Sequence, residues 1–138
     1  MSDFTLHPRL AADCIVLGRL ALSQLLLLDN AHYLWFILVP QVAPQQLHLL
    51  STAEREQLQA EAQAVSTIVE EHCSPQRINV GALGNLVPQL HYHIVARTEQ
   101  DPAWPGPVWG HPASRPYTEE ELASVRALVA PLFSAGNY

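Results

Sequence analysis

His91 and His93 are the residues whose type and spacing most directly suggest chemistry. On one strand, alternate residues share a face, so the two imidazoles would project side by side about 7 Å apart at the backbone. Three readings of such a pair stand open. The two rings can be polar surface groups of a half-solvated sheet. They can be two neutral nitrogen ligands for zinc or iron, which needs at least a third ligand; His32, His48, His72 and His111 are candidates, none in a spacing that nominates it. Or one imidazole can be a nucleophile, attacking phosphorus while a hydrogen bond to its second nitrogen fixes the tautomer. That third chemistry needs donors around the phosphate oxygens. Gln89 and His93 flank His91 on its own face, and the Gly84-Asn85 turn can bring backbone N–H groups and an amide to the same spot.

These residues must be positioned by elements the sequence also signals. Leu86–Arg97 alternates: Leu90, Tyr92, Ile94 and Ala96 fall on one face of a strand, and Gln89, His91, His93, Val95 and Arg97 on the other. Upstream, Cys14–Gly18, Leu25–Leu28 and Leu34–Val39 are short apolar runs punctuated by Gly18, Asp29-Asn30 and Pro40, the pattern of an antiparallel meander. His7–Asp13 can form a helical turn or two before them. Ser51 with Glu54 makes a capping box, and Leu58, Ala62, Val65, Val69 and His72 then recur as one helical stripe up to about Cys73. The glutamates of that helix read as a solvated face. Arg77–Val80 reads as another strand. Residues 101–116 hold too many prolines for a strand or helix, and Trp104 and Trp109 there could stack on a base or cover a sheet edge. Thr118 with Glu121 makes a second capping box, flanked by Tyr117 and Leu122 as a hydrophobic staple, opening a short helix over about 118–132. Arg97 can reach a phosphate or pair with Glu99. The expectation is one α+β domain over residues 1–138, with helices on one face of an antiparallel sheet of about five strands and the core within about 10–100.

Composition narrows the partners. The 138 residues are 49% hydrophobic and 14% charged, which suits a folded domain. Thirteen acids face seven arginines and no lysine, a formal charge of −6. That balance argues against a broad footprint for nucleic acid or an anionic membrane. The longest apolar runs fall far short of a membrane span. Residues 1–10 lack the pattern of a signal peptide, and Cys14 and Cys73 lie in no metal-ligand spacing. A cytoplasmic protein with incidental, buried or half-buried thiols is the expected context.

The stretch Asn79-x-Gly81-x-x-Gly84-Asn85-x-Val87-x-Gln89-x-His91-x-His93-Ile-Val-Ala-Arg97 resembles the signature of the histidine triad (HIT) superfamily of nucleotide hydrolases and transferases. There the strand reads His-φ-His-φ-His after an Asn-x-Gly loop. The pair Leu25–Asn30 and Leu34–Pro40 is similar to the family's ligand-contacting strands, and the likeness extends over roughly residues 10 to 100. It implies a HIT-like α+β fold, a bacterial-type protein resembling dinucleoside polyphosphate hydrolases, and a middle histidine, His91, that becomes transiently nucleotidylated at an α-phosphate. It implies that His93 and Gln89 assist at the phosphate and that Asn85 and the Gly84 turn contact phosphate or leaving group. Asp29 or Asn30 would lie near the ribose, and Asn79 would shape the nucleotide pocket. The implied substrate is a nucleotide conjugate, of dinucleoside polyphosphate or nucleoside phosphoramidate type, with no cofactor and no metal. Family members are commonly homodimers whose sheets join edge to edge. Two departures stand out: Gln89 replaces the first histidine of the triad, and Trp35 stands where many members have a histidine. They keep two alternatives in view, a non-catalytic nucleotide-binding module and a metal-dependent enzyme using the His-x-His pair.

Overall fold

The runs Leu34–Pro40 and Tyr92–Arg97 set the architecture, because strands buried almost throughout must be covered on both faces. The computed structural model describes residues 4–135. A short helix, α1 (Pro8–Asp13), leads into β1 (Cys14–Arg19), β2 (Ser23–Leu28) and β3 (Leu34–Pro40), an antiparallel meander. A 3₁₀ turn at Leu47–Leu49 precedes the long helix α2 (Thr52–Cys73), followed by β4 (Arg77–Gly81), β5 (Tyr92–Arg97) and α3 (Glu119–Ala135). The five strands are all antiparallel in the order β1-β2-β3-β5-β4, so β5 inserts between β3 and β4.

One face carries Leu25, Leu27, Phe36, Leu38, Tyr92, Ile94 and Ala96, packed against Leu58, Ala62, Val65 and Val69 of α2 and Val125, Val129 and Leu132 of α3. Fully burying each such aliphatic side chain contributes about 1.5–3 kcal/mol, so this face supplies most of the cohesion. The other face carries Leu26, Trp35, Ile37, Val39 and Val95, and is covered by Leu10, Val108 and Trp109 rather than by a helix layer. That thinner cover leaves room for a site. Both capping boxes form: the Ser51 hydroxyl accepts from Glu54 N and the Glu54 carboxylate from Ser51 N, with the same exchange between Thr118 and Glu121. Tyr117 and Leu122 both pack on the helix-side core. No helix among the described residues is long and apolar enough to cross a membrane.

Four sequence expectations need correction. The alternating stretch 86–97 is a strand only from Tyr92; residues 82–91 stay irregular. Gly84 there has a φ of +72°, and Pro88 has no N–H to offer a ladder. His72 is exposed, since the α2 stripe has passed the end of the sheet by then, and Cys73 is exposed with it. The C-terminal helix runs on to Ala135. And the glutamates of α2 are not all solvated.

Glu61 is fully buried. Its Oε2 accepts from Leu22 N at 2.7 Å and from the Gln57 amide at 3.1 Å, tying α2 to the β1–β2 turn. Burial raises its carboxyl above its ordinary value, against the pull of the hydrogen bonds from Leu22 and Gln57. Replacing it tests the tie. Glu61→Gln keeps an acceptor for the buried Leu22 N–H, whereas Glu61→Ala strands it. The alanine variant is expected to be about 1–3 kcal/mol less stable than the glutamine one in urea titrations.

Candidate active site

The face away from α2 and α3 opens into a cleft of about 780 Å³ at the start of β5. His91 sits at its wall just before the strand and His93 is the strand's second residue, opposite Ile37 of β3 and Gly81 of β4. Both are buried, 8% and 7% exposed, so neither is a surface group of a half-solvated sheet. Their ring centroids are 5.0 Å apart.

Each ring is held at one nitrogen, and the two partners have opposite character. Nδ1 of His91 lies 2.7 Å from the backbone carbonyl of Gln89. A carbonyl oxygen only accepts, so this nitrogen carries the proton and donates it. Nε2 of a neutral His91 is then left with its lone pair. Nδ1 of His93 instead receives the indole N–H of Trp35 at 2.9 Å in a buried bond. Indole nitrogen only donates, so here Nδ1 holds the lone pair and Nε2 carries the proton. The pair therefore presents one unprotonated nitrogen and one N–H donor.

His93 is also prevented from charging. Burial, with a smaller contribution from neighbouring His91, pushes it down from 6.5 to about 3. Trp35 and Trp109 meet its ring edge-to-face, with centroids 5.7 and 5.4 Å away, and 6.1 Å from each other. Trp109 reaches this place because the chain after β5 folds back on a buried ion pair. Arg97 Nε and Nη2 donate to Asp101 at 2.8 and 3.1 Å, Nη1 to Asn79 Oδ1 and Nη2 to Gly106 O. Arg97 and Asp101 are only 2% and 4% exposed. Burial would raise the Asp101 carboxyl, but the Arg97 hydrogen bonds outweigh it and hold Asp101 below its ordinary value. Asp101 also accepts from Thr98, Ala103 and Trp104 N–H groups, and Trp104 lies 5.7 Å over the Arg97 guanidinium. Arg97 thus neither pairs with Glu99 nor faces the cleft.

The other residues singled out in the sequence divide. Gly84, Asn85 and Asn30 line the cleft with the two histidines. Asn30 is occupied: its amide donates to Ala113 O and its oxygen accepts from His32 N and Arg115 N, fastening the β2–β3 turn to the segment after Trp109. Asp29 turns to that segment too, accepting from Tyr117 N. The Gln89 side chain is engaged by the N-terminal segment, accepting from His7 N and donating to Thr5 O; its backbone carbonyl is what serves His91. Asn79 belongs to the Arg97 network. Among the described residues no group of three His, Cys, Asp or Glu side chains is arranged to hold a metal. Trp109 packs against His93, whereas Trp104 covers the ion pair. The Trp35 contact and the Arg97–Asp101 latch were missed in the sequence; the i, i+4 spacing of opposite charges was the only local sign of the latter.

The HIT domain family profile matches residues 9–100. Solved structures of three bacterial proteins superpose over nearly their full length. A histidine triad protein of Marinobacter aquaeolei VT8 is 44% identical, covering 96% of this chain and 98% of that one, with a TM-score of 0.91. A histidine triad protein of Sinorhizobium meliloti 1021 is 40% identical over 94% and 96%, with a TM-score of 0.89. One from Bradyrhizobium japonicum is 37% identical over 93% and 96%, also at 0.89. No curated protein sequence matches the chain.

The opposed tautomers can be observed directly. An imidazole whose folded value lies below its unfolded one favours the native state above 6.5, and that contribution is lost as pH falls towards about 3. Ring ¹⁵N shifts of His93 should therefore report a neutral Nε2–H tautomer throughout roughly pH 5 to 8. In Trp35→Phe, which removes the indole donor, His93 should show a mixture of tautomers. A single unchanged tautomer in that variant would sink the assignment.

Proposed function

The chain belongs to the HIT domain family, and from that premise we propose that it hydrolyses or transfers nucleotides through a nucleotidyl-histidine intermediate on His91. One observation carries the reading: His91 and His93 are held with opposite nitrogens free. The Nε2 lone pair of His91 attacks the α-phosphorus of a nucleotide conjugate. The bond from phosphorus to the leaving group breaks, the leaving group takes its electron pair and a proton from water, and a phosphorus–nitrogen bond remains. Water then attacks phosphorus, the electron pair returns to Nε2, and the surplus proton goes to solvent.

The neighbours supply what such a step requires. The carbonyl of Gln89 stabilises the cationic ring that forms on attack, since Nδ1 keeps its donor bond throughout. Neutral His93 offers Nε2–H to a phosphate oxygen, and the Gly84–Val87 stretch, with Asn85, adds polar groups at the cleft wall. Gln89 needs no imidazole for its part, because its contribution is made by the main chain. The indole of Trp35 takes over the orienting of His93. These two contacts favour an enzyme over the non-catalytic module, and the absence of a third ligand among the described residues leaves the metal-dependent reading without support.

The reading includes a homodimer. β4 is an edge strand with one row of backbone groups unpaired, and Val80 on it is 49% exposed. Light scattering should return twice 15.3 kDa, and Val80→Glu should shift the mass towards the monomer.

The decisive test is intact-protein mass spectrometry after brief incubation with a nucleoside phosphoramidate or dinucleoside polyphosphate, quenched at alkaline pH. A nucleotide adduct is expected on the wild type and none on His91→Ala, whose turnover should fall by at least about 10³-fold while mononucleotide binding persists. Binding by the wild type without any turnover would instead establish the non-catalytic module.

A further inference from the structure

Gln89 has two ends, and only its main chain has so far been given a part in the site. Its carbonyl accepts from Nδ1 of His91, yet Gln89 stands outside the β5 ladder, which begins at Tyr92. It lies in a stretch whose conformation no sheet imposes, next to Pro88, which has no N–H to donate. Leu86, three residues before it, is 80% exposed. A carbonyl that must keep one direction there needs an anchor of its own. The side chain of the same residue supplies one. Its Oε1 accepts from His7 N at 2.8 Å and its Nε2 donates to Thr5 O at 2.9 Å, across 82 and 84 residues of sequence.

The two bonds close on a firmly seated segment. α1 starts directly after it, with the His7 imidazole accepting from Arg9 N and Pro8 in the first turn. Leu10 is buried on the cleft side of the sheet, and Phe4 and Leu6 pack against the same cluster. A carboxamide suits both contacts without charge, since it carries an acceptor and a donor on one carbon, pointing the same way. A carboxylate would set an oxygen against the Thr5 carbonyl. An imidazole has its donor and acceptor on nitrogens that point apart, so it would hold one partner and release the other. Glutamine at this position of the motif thus makes a grip that histidine could not.

We infer that Gln89 is a positioning residue: its side-chain amide, locked to the main chain of Thr5 and His7, holds the carbonyl that keeps the proton of His91 on Nδ1. The N-terminal segment is then part of what orients the nucleophile. The kinetic consequence rests on the reading of His91 as nucleophile; the tautomer does not. Once the carbonyl is freed, the ring can take its other neutral form, in which Nε2 carries the proton and has no lone pair to offer phosphorus.

Gln89→Met keeps the length of the side chain and removes both bonds, leaving the main-chain carbonyl in place. In ring ¹⁵N spectra at about pH 8, above the ordinary imidazole range, His91 of the wild type should show one Nδ1–H tautomer, and Gln89→Met a mixture of the two. His93 is the internal control, because Trp35 holds it independently and its Nε2–H tautomer should not change. The other side of the grip gives a second test. His7 has a φ of −54°, which proline adopts, so His7→Pro removes the N–H that Gln89 accepts without straining that residue. His7→Ala keeps the N–H, and both variants lose the imidazole cap. The proline variant should mix the His91 tautomers and the alanine variant should not. On adenosine 5′-phosphoramidate, Gln89→Met should lower kcat by at least about tenfold with KM changed less than about twofold. The inference is overturned by a His91 tautomer unmoved in Gln89→Met, by both histidines losing their tautomers together, by proline and alanine variants that behave alike, or by kcat at the wild-type level. A wild type without turnover, with the tautomers behaving as described, bears out the positioning and overturns the nucleophile reading alone.

Discussion

The hydrogen bond from the indole of Trp35 to Nδ1 of His93 is the contact on which the rest of the site depends. An imidazole in water exchanges freely between two neutral forms and one cation, and only one of those three offers an N–H at Nε2 with no net charge. Here the indole excludes the wrong neutral form, and burial beneath Trp35 and Trp109 excludes the cation. A carbonyl holds the proton of His91 on the opposite nitrogen, Nδ1. Neither selection requires a charged partner.

The dryness that makes this work is built at a distance. β5 ends in Arg97, and the chain then turns sharply so that Asp101 meets the guanidinium from the i+4 position while Asn79 and Gly106 use its other donors. Every polar atom of that guanidinium drawn into the interior has a partner, which is the condition under which burying a charge is tolerable. The segment so pinned delivers Val108 and Trp109 over the strand face, and Asn30 fastens Ala113 and Arg115, a few residues further on, to the β2–β3 turn. Stability and site geometry therefore share the same residues, since the segment that the latch pins also carries the Trp109 ring that covers His93.

Much of this was legible in the sequence, and the exceptions share a cause. The meander, α2 with its capping box and the assignment of Tyr92, Ile94 and Ala96 to the helix face come from periodicities of two and 3.6, which are local. His91 and His93 stood out by spacing, and the family by motif. What could not be read were contacts set by tertiary approach. Glu61 looks like one more solvated acid of α2 until the β1–β2 turn brings Leu22 N–H to it. Arg97 appeared free to pair with Glu99 because nothing local reveals that the next residues double back to Asp101. Trp35 read as a lost imidazole, yet at the register where it faces Val95 its indole reaches diagonally to His93 and substitutes one function of a histidine, donation. Gln89 is the mirror case: its side chain went to the N-terminal segment, and the main chain kept the role that matters to His91.

A common electrostatic logic links these departures. An enzyme that stabilises phosphate with arginine and lysine must desolvate those cations or leave its site wet. The present cleft offers neutral donors instead: an imidazole N–H oriented by an indole, an amide, and the main chain around Gly84. Neutral donors are cheaper to bury than cations. The indole of Trp35 belongs to the same set: it donates to His93 and cannot take up a proton, so it adds no charge at any physiological pH.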